Sequence, residues 1–324
     1  MKKTVCGSCE DKRTWIYQTD NGMYIRETKI EAKNKPQKPI KIFNIADIHI
    51  NLTNKDDESN EEIMNTKKHR LWMKDGQVID VLNKALDYAE KEGFDQTVIS
   101  GDTLDYLSRG AMEAMDILIW QRDKNVIAAL GGHDITREME TGEDDKTPIE
   151  ERWAVLRTLW RHDMFYYSKV LDNCVMIIQL DNGRHMYYKN QIEKLRADLQ
   201  TAREKGYVVL IFQHEPISTG KPEDKYVKTF MPFGSDGENF YDTVIGDFQD
   251  FDDNTKAVYH LLCESADVIK GIFCGHCHGA YYMEIKASYK DENGKKCPAV
   301  IPQYIEEVFA GDDFLGHTME ITVY

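Results

Sequence analysis

The stretch Ile40-Lys41-Ile42-Phe43-Asn44-Ile45-Ala46-Asp47-Ile48-His49 decides the fold. An apolar run of strand length ends directly in two metal-ligand residue types, Asp47 and His49, and the arrangement recurs along the chain. The run at 97–100 leads into Gly101-Asp102-Thr103-Leu104-Asp105, and that at 126–130 into Gly131-Gly132-His133-Asp134. The run at 207–212 leads into His214-Glu215-Pro216, and that at 268–274 into Gly275-His276-Cys277-His278. Between the runs lie helical patterns. Val78, Val81, Leu82, Ala85, Leu86 and Ala89 keep one helix face apolar, and Ile192, Leu195 and Leu199 repeat the spacing before the fourth run. Strands alternating with such helices read as βαβ units and a largely parallel sheet. In an open α/β sheet the ligand site lies beyond the carboxyl ends of the strands. Five of the ten histidines sit there.

Outward from this frame, residues 14–18 and 23–30 are rich in β-formers and flank Asp20-Asn21-Gly22, whose Asn-Gly pair suits a tight hairpin. Residues 31–38 are charged, contain Pro36 and read as a linker. The expected organisation is an N-terminal hairpin extension and linker over 1–38 and a main domain over 39–324. Two segments inside that domain read as insertions. Residues 51–76 are polar and charged, while 215–254 carry Tyr226, Phe230, Phe233, Phe240, Tyr241 and Phe248 as a candidate substrate wall. After Gly279 the pattern turns to strand-like pieces at 281–285, 299–305 and 316–323.

The 41 basic and 56 acidic side chains leave a formal charge of -15, which disfavours long nucleic acid as a partner because a basic face is needed to displace counterions. No apolar run approaches the roughly 20 residues of a membrane helix, and no signal-peptide core follows Met1, so the expectation is a cytoplasmic protein without a membrane partner. Seven scattered cysteines fit reduced thiols better than a disulfide framework. There is no P-loop, since Gly220-Lys221 is followed by Pro222, no nucleophile elbow, no His-Glu-x-x-His helix, and no EF-hand spacing in 247–254.

A lone Asp after a strand commonly caps a helix, and a lone His is commonly a satisfied polar residue. Together the clusters mean more: Asp47, His49, Asp102, His214, His276 and His278 at one sheet edge would leave carboxylates and imidazoles desolvated and unpaired without a cation. Mixed carboxylate and imidazole donors suit Mn, Fe or Zn, and a shared carboxylate lets two ions sit about 3.5 to 4 Å apart.

In this order the motifs resemble those of the calcineurin-like metallophosphoesterases: Asp-x-His, Gly-Asp-x-x-Asp, Gly-Asn-His-(Asp or Glu), a single His, and Gly-His-x-His, here running from Asp47 to His278. The resemblance implies an α/β fold, a four-layer αββα sandwich of two mixed sheets flanked by helices, and hydrolysis of a small phosphate mono- or diester. It implies two divalent or trivalent metal ions, the first held by Asp47, His49 and His278, the second by His214 and His276, with Asp102 bridging. It further implies attack by a metal-bridging hydroxide, with His133 as general acid and Asp105 orienting it. One position departs from the pattern. Gly132 stands where the family places a metal-binding Asn, so the second ion loses a donor. Gly132 reads either as a turn residue of unusual φ/ψ, with Asp134 or an insertion side chain completing the shell, or as the mark of a non-catalytic metal-binding interaction protein of the same fold. Two rival motifs complete the reading: Cys274-x-x-Cys277-His278 also fits c-type haem attachment, and Cys6-Gly7-Ser8-Cys9 fits half of a zinc site.

Overall fold

Each of the five ligand-bearing runs is a strand in the computed structural model, which describes residues 3–4, 15–70, 77–122, 125–136, 147–217, 252–311 and 315–324. Cys6, Cys9 and the aromatics of 226–248 lie outside the described residues. The strands are β1 (Lys3–Thr4), β2 (Trp15–Gln18), β3 (Tyr24–Ile30), β4 (Ile40–Ile45), β5 (Gln96–Ser100), β6 (Ile127–Ala129), β7 (Tyr166–Leu171), β8 (Val175–Leu180), β9 (Val208–Phe212), β10 (Ile269–Cys274), β11 (Tyr281–Lys290), β12 (Lys296–Ile305) and β13 (His317–Val323). The helices are α1 (Glu61–His69), α2 (Gln77–Glu92), α3 (Arg109–Met115), α4 (Ile149–Leu159), α5 (Lys189–Lys205) and α6 (Asp253–Glu264).

The strands form two mixed sheets, ordered β1-β2-β3-β13-β4-β5-β6 and β11-β12-β10-β9-β8-β7. The expectation of a largely parallel sheet holds for β4-β5-β6 and for β8-β9-β10-β12, with antiparallel pairs at β2-β3, β4-β13, β7-β8 and β11-β12. The β2–β3 hairpin turns at Gly22, and β3 pairs with β13 along its whole length, so the hairpin extends the first sheet.

Side-chain alternation builds the layers. Ile40 and Ile42 of β4, Val98 of β5 and Ile127 of β6 meet Val175, Ile177, Val208, Leu210, Phe212 and Phe273 of the other sheet in one buried cluster. The opposite face of the first sheet, with Phe43, Ile45 and Ile99, packs under α2, α3 and α4; that of the second, with Met176, Ile178, Val209 and Ile211, packs under α5 and α6. Apolar residues of period two on both faces are what a strand buried in a four-layer sandwich requires.

The polar segment 51–76 is not a solvated loop over its described part. Asn60 caps α1 by accepting from the Ile63 N–H, and Ile63 and Thr66 are buried. Asp57, also buried, accepts from the backbone N–H groups of Arg109 and Gly110 and so fixes the start of α3. Likewise the end of the 215–254 segment is helical, since α6 starts beside Asp252, whose side chain accepts from the Thr255 N–H. Among the described residues no helix is long and apolar enough to cross a membrane.

Candidate metal centre

Beyond β4 and β5 the two chains continue side by side: Asp47 N–H donates to Gly101 O, His49 N–H to Asp102 O, and Ile50 N–H to Thr103 O. From the second sheet, Gly275 N–H donates to His214 O, and His276 N–H reaches across to the Asp47 carboxylate at 3.0 Å. The four loops are thereby clasped edge to edge. Glycine precedes the ligands Asp102 and His276, and a third glycine, Gly131, lies against Asp102, because there is no room for a side chain. A Cβ on Gly101, whose φ is +86°, would lie 2.5 Å from the His214 ring; one on Gly131 would strike the Asp102 carboxylate, and one on Gly275 that of Asp47.

Three groups of ligand-type atoms result: Asp47, His49 and His278; Asp102, His214 and His276; and His49, Asp105 and His133, the last already tied up in hydrogen bonds among its own members. In the first, His49 Nε2 and His278 Nε2 are 3.1 Å apart, and Asp47 Oδ1 lies 3.9 Å and 3.6 Å from them. In the second, His214 Nε2 is 3.1 Å from Asp102 Oδ2 and 3.2 Å from His276 Nδ1. Asp102 Oδ2 is also 4.0 Å from His49 Nε2, which places this carboxylate between the groups. The orienting bonds are in place. His214 Nδ1–H donates to Ser100 O and His49 Nδ1–H to Asp105 Oδ1, so in each ring Nε2 is the nitrogen turned inward.

Burial pushes the Asp47 carboxyl up to about 8, with the Asp102 charge adding to it. Burial also acts on Asp102, but His214 and His133 outweigh it and hold Asp102 well below the usual carboxylate range. Burial lowers His49, His276 and His278, the last two strongly, and keeps them neutral. Burial opposes a proton on His214, yet the Asp102, Asp47 and Glu215 charges raise it to about 10, so that proton offsets the Asp102 charge at the place a metal ion would take. The donor set therefore fits metal ions.

A family model for calcineurin-like phosphoesterases matches residues 40–280. The chain belongs to that family. Among solved structures it is similar to a dimetal phosphatase from Danio rerio, at 14% identity over 83% of this chain and 87% of the other, with a TM-score of 0.46. It is also similar to a purple acid phosphatase from yellow lupin (Lupinus luteus) seeds, at 13% identity over 90% and 48%, TM-score 0.44. A third is a putative 5'-nucleotidase from Staphylococcus aureus in complex with alpha-ketoglutarate, at 12% identity over 82% and 54%, TM-score 0.37. The chain thus spans about half the length of the last two. A search of curated proteins found no significant match.

Within this phosphoesterase fold, His133 stands at the rim of the first group, its ring centroid 4.6 Å from that of His49. Its Nδ1 is 2.9 Å from the Asp105 backbone oxygen and 3.4 Å from Asp105 Oδ1, and its backbone N–H donates to Asp102 Oδ1. Burial disfavours the His133 cation, but the Asp102 and Asp105 charges prevail and raise the group. Asp105 serves more than His133. It is fully buried and also receives His49, Asn51 and Arg70. Arg70 and Asn51 were missed by sequence reasoning, since both sit in the polar 51–76 segment; the Asn60-Glu61-Glu62 helix start was the available signal for ordered structure there.

Gly132 has φ −62° and ψ −39°, an ordinary right-handed conformation open to any residue, so the unusual-backbone explanation is overturned. A Cβ there would lie 3.2 Å from Gly183 O, a tight contact that asks that loop to give by a few tenths of an ångström. Asp134 supplies no replacement donor, because its two carboxylate oxygens accept from Leu104 N–H and Gly131 N–H and brace the two loops. Cys274 and Cys277 are both wholly buried, which leaves neither thiol accessible for haem attachment.

Proposed function

We propose that this protein is a metal-dependent hydrolase of small phosphate mono- or diesters that uses a binuclear centre. The observation that carries the proposal is the pair of adjoining His/Asp groups with Asp102 between them. Asp47, His49 and His278 would hold one ion and His214 and His276 the other, with Asp102 shared. Bound there, such ions supply Lewis-acid stabilisation of phosphoryl charge and an activated water at neutral pH. Mn, Fe and Zn all suit the donor set.

The chain's own residues do the rest. Asp105 and the Asp105 backbone oxygen fix the His133 ring, and the neighbouring carboxylates favour its protonated form. His133 is then positioned as general acid for the leaving oxygen. Arg70, paired with Asp105, holds that carboxylate ionised and stops it from turning toward the metals. The acidic net charge supports a small ester over a long nucleic acid as substrate. Cytoplasmic placement is part of the proposal and rests on the sequence alone, whose seven cysteines are scattered through the chain.

The test is hydrolysis of p-nitrophenyl phosphate and bis(p-nitrophenyl) phosphate by chelator-stripped protein titrated with Mn²⁺, Zn²⁺ and Fe²⁺, with metal content measured in parallel. Turnover that requires metal and saturates near two ions per chain is expected. Metal uptake with no turnover of any ester would instead leave a metal-binding interaction protein.

A further inference from the structure

Between the two sheets, at the ends of β12 and β13, lies a cavity of about 340 Å³ that none of the motifs touches. Ile16, Tyr24, Arg26 and His317 line it from the first sheet, and Glu306 and Glu307, which follow β12, from the second. Tyr24 and His317 are partners across the β3–β13 ladder, and their rings stack with centroids 5.2 Å apart and planes 16° from parallel. Arg26 is fixed by the second sheet: Nη1 donates to Ile305 O at 2.8 Å and Nη2 to Tyr281 O at 2.9 Å. The segment that carries the two glutamates is tied to the metal loops by its backbone, Glu306 N–H donating to Cys274 O and Phe309 N–H to Asp47 O.

Glu306 is only 2% exposed, yet among the described residues its Oε1 accepts no hydrogen bond. Arg26 Nη1 stands 3.9 Å from that oxygen, too far to donate. The equally buried Asp47, Asp105 and Asp134 all have donors. Burial pushes the Glu306 carboxyl up to about 7, against the Arg26 charge and with the help of Glu307. A carboxylate buried without donors is costly, and one that lines a cavity is accounted for by a partner that brings them. Its two oxygens suit two parallel N–H bonds from one flat group. The Tyr24–His317 stack supplies a wall against which a further ring can lie, and the Arg26 guanidinium beside Oε1 repels a cation of the same shape. We propose that this cavity binds a neutral flat ring bearing N–H and NH2 on adjacent atoms, the donor edge of guanine, with Glu306 as acceptor and the Tyr24–His317 stack as wall. The volume lies within the range of small-ligand sites, about 300–1,000 Å³. This site is separate from the metal ligands and does not rest on the hydrolase reading.

The test is calorimetric titration of the metal-loaded protein with guanosine, inosine and benzamidine, for wild type, Glu306→Gln and Tyr24→Ala. Guanosine carries no phosphate and so does not probe phosphoryl contacts at the metals. It is expected to bind wild type, and inosine, which lacks the amino group, to bind at least about tenfold more weakly. Glu306→Gln keeps the shape of the side chain and is expected to weaken guanosine by roughly 10- to 150-fold, the loss of one charge-assisted hydrogen bond of about 1.5 to 3 kcal/mol. Tyr24→Ala should weaken it at least about fivefold through lost stacking. No binding of guanosine, equal binding of guanosine and inosine, or undiminished affinity in Glu306→Gln would overturn the proposal. Benzamidine bound more tightly than guanosine would overturn the neutral ring, and guanosine binding that vanishes on chelation would place the ligand at the metals instead.

Discussion

Replacing Asp105 with Asn tests its pairing with Arg70, the part of the centre that sequence did not reveal. The Asp105 carboxylate is wholly buried, and Arg70, only 3% exposed, places Nε 3.0 Å from each of its oxygens with Nη2 in closer contact still. Asn51 Nδ2 and His49 Nδ1, each 3.1 Å away, complete the shell. Burial opposes the ionised form, yet the bonds from His133, His49 and Arg70 hold the group far below the usual carboxylate range. An amide removes the charge and turns one acceptor into a donor, which takes the Asp105 carboxylate from the buried guanidinium. Breaking a buried pair in this way costs about 3–5 kcal/mol. At about 2.1 cal/mol/K per residue, 324 residues give an unfolding entropy of roughly 0.7 kcal/mol/K, so Tm of the metal-free protein should fall by about 4–7 °C. Adding Arg70→Leu should recover part of that loss. His49 also loses its orienting partner, and affinity for the first metal should drop about 10- to 100-fold. Calorimetry of the stripped protein and metal titration read the two effects separately. A Tm within about 1 °C of wild type, with metal affinity intact, would refute the role given to the Arg70–Asp105 pair.

His133→Ala should retain the metals and slow turnover by about 10² to 10⁴, the range for a positioned acid; an undiminished rate would remove His133 from the mechanism. Asp102→Asn should lower both metal content and turnover, because the shared carboxylate is lost, and unchanged metal content would contradict the bridge. Gly183→Ala should destabilise by about 1–3 kcal/mol in urea unfolding, since its Cβ meets backbone that cannot yield, and a neutral effect would show that the loop does not press on Gly131. Burial, helped by Glu215 and Asp134, pushes Asp181 up to about 8, so it folds protonated. A group raised in the folded state stabilises below its unfolded value of about 4, and that contribution is lost as pH rises through about 8. Asp181→Asn should therefore gain stability relative to wild type between pH 5 and pH 8, and a pH-independent difference would count against it.

What the sequence made legible follows from the range of the interactions involved. The β4 run could be read because each residue carries its own evidence: Ile40 and Ile42 face one layer, Phe43 and Ile45 the other, and Asp47 and His49 follow within one turn of chain. The β7–β8 hairpin was passed over although Asp172-Asn173, both at positive φ, is a hairpin turn pair of the Asn/Asp type. Arg70 had no such local mark. A charged residue in a polar stretch looks solvated until a partner 35 residues along the chain is known to lie against it.

The backbone supplies a reason to believe in the centre that owes nothing to motifs. Asp47, His49, Asp102, His276 and His278 all have φ between 50° and 71°, five of the six residues assigned to metal. Side chains with a Cβ in that region cost of order 1 kcal/mol each and persist only where the surroundings over-determine them. Here the determinants are visible: paired loop backbones after β4 and β5, the His276 N–H clasp on Asp47, and glycines placed where a Cβ would strike a ligand carboxylate or imidazole. Capping helices or turning loops would not require so much strain at these residues, since Asn or Gly would serve at lower cost. Strain that converges five side chains on shared lone-pair positions is what a preorganised ion site demands, and it locates the chemistry independently of the order in which the residues occur.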